Sequence, residues 1–127
     1  MKPKIMLIDD VDISNFIMKK LIGLLPFKVD VFDFIDSAFA FNSIKDIEPD
    51  LIFLDLNMPV ISGWDLLEKM KKNNLHHKVV ILTSSTNSLD KEHSKKYPNV
   101  IDFCEKPIRK EKLYSYLNML VTELHLV

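Results

Sequence analysis

Five short apolar runs punctuate the chain: Ile5 to Asp9, Val29 to Phe34, Leu51 to Asp55, Val79 to Thr83 and Val100 to Cys104. Each is brief and rich in Ile, Val, Leu or Phe, which predicts strands rather than helices. The stretches between and after them carry helical spacing instead. The clearest are Ile13, Phe16, Ile17, Leu21 and Leu24, closed by Pro26, and the final series Leu113, Leu117, Leu120 and Leu124. Further helices are predicted over Ser37 to Lys45, after Gly63 through Leu66, Leu67 and Met70, and over Ser88 to Lys96 before Pro98. The pattern is strand then helix, repeated along the whole chain.

Strict alternation implies a parallel sheet covered by helices on both faces, because a parallel crossover needs a helix and keeps one hand. The first, third and fourth strands are continuously apolar, as strands buried on both faces must be. The second and fifth contain Asp30, Asp33 and Asp102, and are predicted to lie at the edges. Order 2-1-3-4-5 satisfies this, giving a doubly wound α/β fold of the flavodoxin-like (βα)5 type. Its topological switch point falls between strands one and three, beyond their carboxyl ends.

Composition narrows the reading further. At 127 residues and 47% hydrophobic, the chain suits a single domain over 1–127. Its 17 basic and 18 acidic residues leave a net charge of -1, too little to draw in nucleic acid or an anionic membrane. Cys104 is the only cysteine, which removes a disulfide framework and multi-cysteine zinc patterns and makes the cytoplasm the expected location. The start MKPKIMLIDD does not read as a signal peptide, and no later run is long enough to insert in a bilayer. His76, His77, His93 and His125 show no ligand spacing and read as surface histidines. The segment DKEHSKK reads as a solvated helix face, while Cys104 and Trp64 read as packing residues.

The candidate chemistry lies at the strand ends. Asp9 and Asp10 close the first strand and Asp55 the third, so the predicted order brings three carboxylates together. Like charges that close raise one another's pKa, and a hard divalent cation is the usual remedy. Lys106, after the fifth strand and before Pro107, places an ammonium on the same rim, suited to phosphoryl oxygens. Thr83 closes the fourth strand with a hydroxyl, followed by Ser84 and Ser85. Taken alone, a Ser/Thr-rich strand-to-helix loop is more often a helix cap.

Together LIDD, LDLNMP, Gly63, ILTSS and FCEKP resemble, in order and spacing, the receiver domain of bacterial two-component response regulators, from about Ile5 to the last helix. The resemblance implies that Asp55 is the phospho-acceptor, and that Asp10, Asp55 and the backbone carbonyl of Asn57 hold Mg²⁺, with Asp9 acting through a metal-bound water. It implies that Lys106 holds the phosphoryl group, its peptide to Pro107 being cis, and that Thr83 bonds a phosphoryl oxygen after transfer. Asn57 and Ser85 are then the positions that tune dephosphorylation. Phe103 matches the switch aromatic that couples Thr83 to the face made by the fourth helix, fifth strand and fifth helix.

The expected donor is a sensor histidine kinase or a histidine phosphotransfer protein, and the expected output is altered protein binding by a stand-alone domain, a monomer or weak phosphorylation-dependent dimer. Catalysis beyond its own phosphoryl transfer and autodephosphorylation is not expected, nor is direct control of transcription. Ser62 replaces the frequent Asp before Gly63, and Tyr97-Pro98-Asn99 stands where an Ala-Gly-rich turn is common. A haloacid dehalogenase-type phosphatase would need Asp where Asn57 stands, and a flavodoxin loop would avoid Asp9 and Asp10. A receiver-like binding module that is never phosphorylated, and a phosphorelay intermediate, remain as alternatives.

Overall fold

Strands and helices alternate without exception in a computed structural model of the chain that describes residues 2–84 and 87–125. The order is β1 (Lys4–Ile8), α1 (Asp12–Gly23), β2 (Asp30–Phe34), α2 (Ser37–Ile47), β3 (Leu51–Asp55), α3 (Gly63–Lys72), β4 (Val79–Thr83), α4 (Ser88–Ser94), β5 (Val100–Glu105) and α5 (Lys110–His125). All sheet neighbours are parallel, in the order β2-β1-β3-β4-β5 expected from the sequence. The expected bounds of β3 and β4 coincide with the observed ones, and the other elements differ by one to two residues or a helix end.

Alternation along the central strands builds two cores. Ile5, Leu7, Leu51, Phe53, Val80 and Leu82 face α1 and α5, where Met18, Ile22, Leu113 and Leu117 cover them. Met6, Ile8, Ile52, Leu54 and Ile81 face the opposite side and pack on Ala40 and Ile44 of α2 and Leu66, Leu67 and Met70 of α3. β3 and β4 are buried throughout, while β2 and β5 are partly open, as edge strands must be. In β5 the register slips: Val79 pairs with Val100 but Val80 with Asp102, so Ile101 is an extra, bulged residue.

The departures noted in the loops have structural work. Ser62 caps α3 in a reciprocal box: its hydroxyl accepts from the Asp65 N–H at 3.2 Å, and its own N–H donates to the Asp65 carboxylate at 3.0 Å. Tyr97 is buried, and Asn99 donates to the His77 carbonyl at 3.0 Å. Among the described residues no helix is long and apolar enough to cross a membrane.

Helix α1 forms where the periodicity predicts a helix, but it buries a different face. The residues that made it legible, Ile13, Phe16, Ile17 and Leu24, are more than half exposed. The face it buries carries Asn15, Met18 and Ile22.

Candidate functional site

Parallel strands end on one rim, and there the sheet gathers the predicted chemistry. Asp9 follows β1 and Asp55 ends β3, with exposures of 7% and 6%, and the half-exposed Asp10 stands beside them. One carboxylate oxygen from each of the three lies within 4.8 Å of the others. Lys106, after β5, places its Nζ 2.5 Å from an Asp9 oxygen and 3.5 Å from an Asp55 oxygen. The Lys106–Pro107 peptide is cis, as the resemblance implied.

Local bonds hold each group in place. The Val11 N–H donates to Asp9 at 2.9 Å, and the Asn57 N–H points at Asp55 Oδ1 from 3.5 Å. The Lys106 N–H donates to the Thr83 carbonyl at 2.7 Å, fixing the lysine against the end of β4, where Thr83 is fully buried. Gly63 lets the start of α3 close over β3: a Cβ there would sit 2.5 Å from the Asp55 carbonyl oxygen and 2.8 Å from the Leu56 Cα. Only glycine fits that approach.

Burial, foremost, raises the pKa of the Asp55 carboxyl, and the charges of Asp9 and Asp10 push the same way. The Lys106 ammonium and the Asn57 N–H oppose the shift without cancelling it. Three crowded carboxylates with one lysine make a donor set of hard oxygens, which suits a divalent cation such as Mg²⁺. The same site leaves Asp55 both buried and adjacent to positive charge.

Asp9, Asp10, Asp55 and Lys106 are therefore together, with Asn57 exposed in the following loop and Thr83 on the neighbouring strand. Phe103 lies apart from them on β5, half-buried against the core shared with α2 and α3. Ser85 lies outside the described residues. Three contributors escaped the reading of the sequence. Asn15, 2% exposed, donates to the carbonyls of Asp9 and Phe34, each at 3.1 Å, and so ties β1, β2 and α1 at the rim. Its only signal is a polar residue interrupting a helix. Ser37 donates to the Ile61 carbonyl at 2.8 Å, bracing the loop after Asp55. Val60, in that loop, adopts a φ of 66°, and a β-branched residue advertises no such conformation.

Residues 5–118 match the family described as the response regulator receiver domain. The nitrate/nitrite response regulator protein NarL of Escherichia coli (strain K12) is 31% identical over 86 residues, 68% of this chain and 40% of that protein. The hybrid signal transduction histidine kinase D of Dictyostelium discoideum is 33% identical over 115 residues, 83% of this chain and 7% of that protein. The chain thus spans well under two thirds of the length of these relatives. Among solved structures, the receiver domain of Francisella response regulator 1452 has a TM-score of 0.80 at 27% identity, with 97% of this chain and 99% of that one covered. The two component response regulator from Cytophaga hutchinsonii has a TM-score of 0.85 at 25% identity, with coverage of 96% and 99%. A family match across nearly the whole fold, with the acidic cluster and its lysine on the expected rim, makes this chain a member of the response regulator receiver domain family of two-component systems.

Proposed function

We propose that the domain is a phosphorylation switch in which Asp55 accepts a phosphoryl group from a phosphohistidine on a sensor histidine kinase or a histidine phosphotransfer protein. The observation that carries this reading is the buried Asp55 carboxylate with two more carboxylates within 4.8 Å and the Lys106 ammonium 3.5 Å away. An Asp55 oxygen attacks phosphorus, the bond to the donor imidazole breaks, and an acyl phosphate forms. Lys106 pairs with the phosphoryl oxygens, exchanging its contact with Asp9 for the incoming anion. Asp10, Asp55 and the Asn57 carbonyl would hold Mg²⁺, and Asp9 would act through a water. When bound, Mg²⁺ offsets the charge of the carboxylates and of the transferred group.

Thr83 then bonds a phosphoryl oxygen, and Phe103 transmits the change to the α4-β5-α5 face, where protein partners are gained or lost. Asn57 and Ser85 set how fast water removes the group, and the domain's catalysis is confined to its own phosphoryl transfer and dephosphorylation. Incubation with Mg²⁺ and phosphoramidate should add the mass of one phosphoryl group to the intact protein. Asp55→Asn and an EDTA control should show no gain. An unmodified wild type under conditions where Mg²⁺ binding is measured would leave the domain a binding module without phosphorylation.

A further inference from the structure

Helix α4 is joined to the domain differently from the other helices. Of its seven residues only Ser94 is buried, and Leu89, its large aliphatic side chain, is 73% exposed. No α4 residue belongs to either hydrophobic cluster, so the packing that anchors the other helices does not anchor this one. An aromatic contact ties it to α3. The His93 imidazole, half-buried rather than the plain surface histidine expected from the sequence, lies flat on the Trp64 indole of α3, with ring centroids 4.2 Å apart and planes 7° from parallel.

Tyr97, just past the helix, completes the stack at 6.3 Å from Trp64 and 6.0 Å from His93. That ring is fixed: its hydroxyl donates to Glu68 of α3 at 2.9 Å, and burial, followed by the Glu68 carboxylate, pushes its pKa up to about 12. A neutral phenol bonded to Glu68 therefore holds the turn against α3 at ordinary pH. Helix α3 thus presents an aromatic platform, on which His93 of α4 rests.

We propose that the His93–Trp64 stack is a latch that holds α4 in place, and that its opening is the step through which occupancy of Asp55 remodels the α4-β5-α5 surface. The proposal rests on the reading of Asp55 as phospho-acceptor. Its physical basis is the chain path: α4 begins five residues beyond Thr83, so the helix is tied in sequence to that rim.

Trp64 is the only tryptophan in the sequence, so indole emission comes from this ring alone. The test compares Trp64 emission and hydrogen exchange of α4 amides in wild type, His93→Ala and His93→Phe. Each is measured with and without Mg²⁺ and phosphoramidate, while intact mass gives the phosphoryl occupancy. In the unphosphorylated protein, His93→Ala should speed α4 exchange about tenfold while β1 and β3 stay unchanged, and His93→Phe, which can still stack, should restore it. Phosphorylated wild type should move toward the His93→Ala values in both readouts.

Equal α4 exchange in wild type and His93→Ala would overturn the latch. So would an α4 that ignores phosphorylation in a sample whose mass shows full occupancy, because the stack would then be packing and nothing more. A missing mass gain is a separate result: it removes the phospho-acceptor reading, and with it the signal the latch would answer.

Discussion

Val60 holds a backbone conformation that its side chain resists. A β-branched residue at a φ of 66° crowds its own carbonyl, and with 98% of its surface exposed it gains no packing in return. It sits in the loop between Asp55 and Gly63, the loop that sets where Asn57 lies. Asn tolerates this region far better, so Val60→Asn should stabilise the domain by roughly 1 kcal/mol in a urea titration. Phosphorylation of Asp55 should be unaffected, since the side chain touches none of the site's charged groups. A variant no more stable than wild type would mean that the residue does not occupy this conformation in solution.

Among elements, the junction of β3 and α3 is the tightest. Gly63→Ala would drive a methyl into the Asp55 carbonyl and the Leu56 Cα, both backbone atoms that cannot yield cheaply. The expected cost is about 1–3 kcal/mol, with phosphorylation slowed because the nucleophile's own strand end is displaced. Denaturant midpoints and the rate of mass gain check the two effects separately.

The bounds of this junction were legible in the sequence, as was the gathering of Asp9, Asp10, Asp55 and Lys106 on one rim, because an abrupt stop in an apolar run marks a strand end. Helix α1 shows where that legibility stops. Its apolar residues cover more than one face, so periodicity fixes the conformation but not the rotation, and the buried stripe turned out to include Asn15. Side chains that act through single bonds to distant carbonyls, such as Ser37 to Ile61, leave no local pattern to read. His93 was hidden for another reason: exposed neighbours of alternating charge disguised a residue that meets an aromatic partner.

Across the whole molecule, two carboxyls pull stability in opposite directions with pH. Asp55 has a raised pKa, so its contribution is present below the ordinary carboxylate value and lost as pH rises through the folded-state value. Burial would also raise Asp102, but the Tyr116 hydroxyl, the Phe103 N–H and Lys112 outweigh it and hold the carboxyl low. Its contribution is present above the ordinary value and lost as pH falls through the folded one. In metal-free buffer at pH 7, Asp55→Asn should therefore melt a few degrees above wild type and Asp102→Asn a few degrees below. Both differences should shrink on acidification through the carboxylate range, and thermal melts across that range test the signs. A stabilised Asp55→Asn would show that the fold tolerates this buried carboxylate at a cost.

The bulge at Ile101 bears on how such a domain survives at high concentration. An open sheet has two unpaired borders, and a straight one invites another chain to add a strand and keep growing. Here one border is kinked by the extra residue. The other, β2, is lined by Asp30 and Asp33, paired with Lys2 at 3.7 Å and Lys19 at 3.2 Å. Neither offers a flat template for aggregation, so self-recognition by backbone ladders is disfavoured. A partner of the proposed switch would then have to recognise it through side chains rather than by adding a strand.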